Sequence, residues 1–304
     1  MNTPRSIRPG PISRIAAVAV AALAYATAGL FPSPSAGAVR TSNRGTVTTL
    51  FAGSLVAYME RSFRPSFEKA TGYGFEGFGG GSTELANEIK GGVRRGDVFV
   101  SAAAAADHVL EGAANGNWVS WYSSFMASPL VLAYNPQSSV GRQLRAGRPW
   151  YRVLAESGIR VGRTDPKLDP KGVLTTEAIA AAARRLHHPA LLRAQSHFET
   201  FPETALVGRM QSGQLDAGFF YSVEAKTAKL ATVPLTPVYK YAEYTVTILN
   251  RASNRTGAAA LIRYLLNVAR TYTLNRNGLN PMTLKFAGPR NAVPAGLRAT
   301  VGAH

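Results

Sequence analysis

The chain has 304 residues, enough for two ordinary domains or one large one, and its 46% hydrophobic and 17% charged residues exclude a broadly disordered polymer. Lys and Arg number 34 against 17 Asp and Glu, a formal charge of +17, while the absence of cysteine excludes disulfides and thiolate metal sites. The basic residues are scattered, with no run denser than pairs such as Arg94-Arg95, so the charge favours small anions and no nucleic-acid partner is expected.

Arg5, Arg8 and Arg14 precede the apolar run "IAAVAVAALAYATAGLF", and Ala36-Gly37-Ala38 follows it. A basic flank, an apolar segment and an A-x-A site describe a secretory signal peptide over residues 1–38, with cleavage expected after Ala38. The run approaches the length of a membrane anchor, but its small-residue flank favours removal. The mature protein is then expected in the periplasm or outside the cell.

"TVTTLFA" (Thr46 to Ala52) predicts a strand, and "LVAYMERSFRPSFEKATG" an amphipathic helix closing at Gly72. "YGFEGF" predicts a second strand, running into Gly79-Gly80-Gly81 and a helix from Thr83 that Ser82 and Thr83 are expected to cap. "GDVFVSA" is a third strand, with an alanine-rich helix behind it. "PLVLAYN" (Pro129 to Asn135) is a buried strand. A second alternating unit follows: a helix near Trp150, strand "IRVGR", helices over Thr175 to Leu186 and Thr204 to Ser212, and strand "DAGFFY". "EYTVTILN" (Glu243 to Asn250) returns to the first unit, and helices over "GAAALIRYLLNVA" and "RTYTLNRNG" close the chain. Strands alternating with helices predict an α/β fold with a parallel sheet, here as two lobes facing a cleft. The expected boundaries are 39–131 with 243–304 for lobe 1 and 132–242 for lobe 2.

Few residues match a catalytic pattern. "GYGFEG" matches G-x-G-x-x-G as a string, but a helix ends before it and a strand runs through it, the reverse of the dinucleotide context. The five histidines form no HExxH pattern, and Ser54 in "AGSL" is not a nucleophile elbow. No enzyme and no cofactor are expected. What remains is a repeated theme: Ser54 and Ser82 each end a strand and open a helix, so their hydroxyls and the N–H groups of Leu55 and Thr83 can meet an anion at the carboxyl edge of the sheet. Taken singly, each serine also fits an ordinary helix cap.

"LFAGSLVAYMERSFRPSFEKATG", "FEGFGGGSTELANEIKGG", "GDVFVSA", "MASPLVLAYNP", "TDPKLDPKG", "FPETALVGRMQSGQLDAGFFYS" and "NRNGLNPM" together resemble the molybdate/tungstate-binding proteins of ABC importers, nearly throughout the mature chain. The resemblance implies the two-lobed periplasmic-binding-protein fold (type II), joined by two hinge crossings. It also implies a monomeric receptor that carries molybdate or tungstate to a membrane permease. Ser54 and Ser82 match the hydroxyls that hold the oxyanion on the first lobe. Leu168 to Gly172 matches a "DDPCG"-like stretch of the archaeal branch, placing Asp169 at one carboxylate ligand of the molybdenum or tungsten centre. Phe201-Pro202-Glu203 matches "PKE", placing Glu203 at the other, and Tyr221 matches the tyrosine of the bacterial branch. Lys171 departs from the family by replacing a small residue, and the segment between the two acids is shorter than in the archaeal proteins. By the residues alone, Asp169-Pro170 reads as a helix cap, Glu203 as a first-turn acid and Tyr221 as a buried tyrosine. A same-fold receptor for sulfate, phosphate or another anion is the alternative, and a secreted hydrolase of anionic esters a further one.

Overall fold

The computed structural model describes residues 44–269 and 277–303, all within one compact unit, Arg40–His304. The signal-peptide segment lies outside the described residues, as does most of the helix expected over "RTYTLNRNG". Among the described residues ten strands form the sheet: β1 (Thr46–Ala52), β2 (Gly74–Gly80), β3 (Val98–Ser101), β4 (Tyr122–Tyr134), β5 (Val161–Arg163), β6 (Glu199–Thr200), β7 (Ala217–Tyr221), β8 (Ala231–Pro234), β9 (Tyr241–Ile248) and β10 (Asn280–Ala287). Their spatial order is β2-β1-β3-β9-β4-β7-β5-β6, with β8 and β10 also paired to β4.

β1 lies between β2 and β3 in parallel register and is covered on both faces. Phe51 and Val47 contribute to the large core, and Leu50 packs on the opposite side with Leu85, Ile89, Phe99 and Trp118. After β1 the chain makes a short 3₁₀ turn at Gly53–Leu55 and enters one long helical run to Thr71. That run widens into a π turn at Met59–Phe63, directly ahead of Pro65. Proline has no N–H to give to the preceding turn, and the wider turn accommodates the missing bond. The helix pins itself to the sheet through Phe63, Phe67, Phe75 and Tyr264, whose rings pack with centroids 5.6–6.5 Å apart.

The sheet departs from the expected parallel arrangement. β9 runs antiparallel to β3 and β4, and β4 antiparallel to β7. β4 is also far longer than "PLVLAYN", because its first seven residues are a polar-looking stretch whose serines find distant partners. Ser123 donates to the carbonyl of Val301, and Ser128 to that of Gly278 while accepting the N–H of Val223. The start of β4 pairs with β9 and β10, and its end with β7 and β8. β4 is therefore the strand on which the two halves of the sheet meet. Behind the second half, Leu206, Met210, Leu215 and Phe220 pack as a separate cluster.

Candidate functional site

In the register of β1 and β2, Ala52 stands opposite Gly80, so Ser54 and Ser82 each lie two residues past the last paired couple. The two serines thus stand at the same level past the carboxyl edge of a parallel pair. Both are buried. The structure corrects the expected cap: Gly81 holds the N-cap position of the helix Ser82–Lys90, and no side chain caps it. Ser82 Oγ instead accepts the N–H of Ala102 at 3.0 Å, leaving its own proton to give. Ser54 Oγ lies 2.9 Å from the hydroxyl of Tyr244 on β9. Leu55 is buried in the 3₁₀ turn, and Thr83 is half-buried in the first helical turn.

The second half brings its acids to the same place. The helix Pro170–Arg185 starts five residues before the expected Thr175, because Asp169 caps it and Pro170 takes the first position, where a missing N–H costs nothing. Asp169 Oδ1 accepts the Lys171 N–H at 2.6 Å. Glu203 opens the helix Glu203–Gln211 and reaches across to the first half, where Oε1 accepts the Ser54 N–H at 3.0 Å. Gly53 makes that approach possible, since a Cβ there would sit 2.6 Å from Glu203 Oε2. Next to it, the Glu84 N–H donates to the Leu168 carbonyl at 2.9 Å, a second bridge between the halves.

Three further residues complete the site, two of which sequence reasoning passed over. Lys171 is wholly buried, with Nζ 2.8 Å from both carboxylate oxygens of Glu224 and 3.4 Å from Glu203 Oε1. Glu224 also accepts the N–H of Tyr221 at 3.0 Å. Tyr244 meets Ser54, and its ring stands edge-on to that of Tyr221, with centroids 6.2 Å apart. The spacing Tyr221-x-x-Glu224 at a helix start is a capping signature that points to the glutamate. Nothing local marks Tyr244, which reads as one more strand residue.

The electrostatics follow from burial. Burial pushes the Glu203 carboxyl up to about 8, with Asp169 adding to the rise and Lys171 opposing it. Asp169 is raised as well, by burial against the pull of Lys171. Burial also raises Glu224. For Lys171 burial favours the neutral amine, but Glu224, Glu203 and Asp169 outweigh it and hold the ammonium above the usual lysine range.

Asp169 Oδ2, Glu203 Oε2 and the Tyr221 hydroxyl are buried with no hydrogen-bond partner among the described residues. A native interior rarely leaves such atoms unpaired, and three in one cluster mark a place built to meet something else. A cavity of about 160 Å³, lined by Gly81, Glu84, Leu168, Asp169 and Glu203 among others, adjoins the two carboxyls. A larger one of about 460 Å³ begins at Gly53, Ser54 and Glu203 and runs between the halves. The arrangement offers hydroxyl donors on one side and carboxyl oxygens on the other. Plain anion recognition has use for the donors alone; a centre that is both oxygen-coated and electron-poor has use for both. Among the described residues no group of three or more His, Cys, Asp or Glu is arranged to hold a metal ion.

The family model described as bacterial extracellular solute-binding protein matches residues 47–280. A putative ABC transporter molybdenum-binding protein of Haloferax volcanii is 35% identical over 180 residues, which span 58% of this chain and 55% of that protein. The molybdate/tungstate-binding protein WtpA of Thermococcus kodakarensis is 25% identical over 248 residues, 71% of this chain and 69% of the relative. Among solved structures, the periplasmic molybdate-binding protein of Azotobacter vinelandii superposes with a TM-score of 0.59 at 18% identity, covering 78% of this chain and 99% of that one. At that identity the likeness shows the two-lobed α/β fold.

Proposed function

The chain belongs to the bacterial extracellular solute-binding proteins, and we propose that within that family it is the receptor that captures molybdate or tungstate and delivers it to an ABC importer. The observation that carries this reading is the pair of buried carboxylates, Asp169 and Glu203, each with one oxygen lacking a protein partner, set against the hydroxyls of Ser54 and Ser82. Carboxylates that ionise to meet a simple dianion repel it, and in a dehydrated site that repulsion is large. A d⁰ molybdenum or tungsten centre is a Lewis acid that can add hard oxygen ligands beyond its four oxo groups, so contact with the metal offsets the repulsion. Sulfur and phosphorus in their oxyanions do not readily accept such ligands, and the same acids then discriminate against sulfate and phosphate.

Ser54, Ser82 and the N–H groups of Leu55 and Thr83 serve as donors to the oxo groups in this reading. Asp169 and Glu203 are the added ligands, and Tyr221 contributes its free hydroxyl. The relatives named as molybdenum- and tungstate-binding support the choice of cargo. The membrane partner is a permease, and the working location is the periplasm or the cell exterior after cleavage behind Ala38. Titration calorimetry of the mature protein with tungstate, molybdate, sulfate and phosphate tests the reading. Saturable binding of the first two with no heat from the others is expected, and preference for sulfate or phosphate would overturn it.

A further inference from the structure

Lys171 is the residue at which this sequence departs from the family it resembles, and it touches both acids of the site. Its backbone N–H holds Oδ1 of Asp169, and its ammonium reaches Oε1 of Glu203. In each carboxylate the oxygen Lys171 holds is the partnered one, and the other oxygen, Oδ2 or Oε2, is left free. The ammonium cannot drift, because two of its three protons are engaged by Glu224, itself fixed by the Tyr221 N–H.

We propose that Lys171 is the positioning residue of the oxyanion site, orienting Asp169 and Glu203 so that one oxygen of each faces the cargo. The inference rests on the assignment of those two acids as ligands. Three observations support it over a purely structural ion pair. Lys171 is fully buried, where a charge is retained only with well-placed partners. Its contacts are divided between Glu224, which has no unpartnered oxygen, and Glu203, which has one. Its position in the first turn of the Pro170–Arg185 helix also ties the placement of Glu203 to the element that carries Asp169.

Lys171→Met alone would strand two buried carboxylates and risks unfolding. The informative variant is Lys171→Met with Glu224→Gln, which removes both members of the main ion pair and leaves Glu203 Oε1 held by the Ser54 N–H alone. Glu224→Gln alone keeps the contact of the ammonium with Glu203. Groups that orient a metal's ligands typically change its affinity by roughly 10–100-fold when removed, and a loss of that size for tungstate is expected in the double variant. Glu224→Gln alone, whose amide oxygen still accepts one bond from the ammonium, is expected to lose clearly less than the double variant. X-ray absorption at the tungsten edge should show fewer long W–O contacts in the double variant than in the parent, a signature that a mere loss of stability does not produce. If the methionine version is unfolded by circular dichroism, Lys171→Gln with Glu224→Gln replaces it, its amide pair spanning the same gap with no charge. A double variant that binds tungstate as the parent does, with an unchanged spectrum, would reduce Lys171 to the counter-ion of Glu224, and an equal loss in Glu224→Gln alone would transfer the role to Glu224. Failure of the parent to bind tungstate would sink the receptor reading itself, an outcome distinct from either.

Discussion

Gly81→Ala separates folding from closure around the site. Gly81 has φ −56° and ψ 128°, values open to any L-residue, so alanine imposes no local strain. Its new methyl would nonetheless lie 2.6 Å from the Leu168 carbonyl oxygen and 3.3 Å from its carbon. Ordinary contact begins at 3.4 Å, and the obstacle is backbone of the opposite half, which no rotamer change can move aside. The halves must back away, and the hydrogen bond from the Glu84 N–H to Leu168 is lost with the approach. Overpacking costs about 1–3 kcal/mol and the hydrogen bond about 1 kcal/mol net. Together, about 2–4 kcal/mol against the closed state corresponds to roughly 30- to 700-fold weaker tungstate binding. Calorimetry gives the affinity, and small-angle scattering with and without tungstate gives the compaction. Gly208→Ala is the control, since a Cβ there meets nothing within 4 Å. Thermal stability without tungstate should hold only where the free protein stands open, since alanine then restricts the unfolded chain more than glycine without meeting Leu168. Parental affinity and parental compaction in Gly81→Ala would show that this contact does not govern closure.

Ser54→Ala removes a buried hydroxyl shared between Tyr244 and the expected oxo group, and a loss of about 1.5–3 kcal/mol in tungstate binding is expected by calorimetry, with circular dichroism unchanged. Away from the site, Asp107 is pushed up to about 7 by burial, against the pull of its bonds from Thr245 and Ser101. The folded state therefore holds a proton that the unfolded state, at its ordinary 3.8, has already released, so stability declines as pH rises from about 4 to about 7. Asp107→Asn lacks this ionisation. Its stability relative to the parent in urea titrations should increase across that window and level off above it; a pH-independent difference would show that Asp107 is ionised throughout.

The parts of the fold legible in the sequence are those whose signals are local. β1 ends where its alternation predicts, and the first helix stops at Gly72, which takes the left-handed conformation its position requires. The start of β4 was not legible, because Ser123, Ser124 and Ser128 look solvated in isolation, and two of them are satisfied by residues 150 and more positions away. β10 was missed for a related reason: "NPMTLKFA" carries a proline and a lysine and is half-exposed, and only pairing with β4 makes it a strand. At the site, the glycine-serine turns were visible as turns. Lysine in a first helical turn reads as surface, and the burial of Lys171 depends on Glu203 and Glu224, 32 and 53 residues downstream. The sheet's mixed direction follows from the chain returning through β9, a long-range choice that strand-helix alternation does not encode.

The thirteen residues of β4 belong to both halves of the sheet, and this has a consequence for how the molecule comes apart. If the second half melts, the end of β4 loses β7 and β8, and the disorder enters the first half along a continuous backbone. Ser128, at the changeover, ties that point to Gly278 near the C-terminus and to Val223 at a helix start, so even the tail is stitched to the same spot. Neither half has a complete sheet of its own without β4. A single calorimetric transition is expected, and cutting the chain within β4 should leave two fragments that each lack an edge they need.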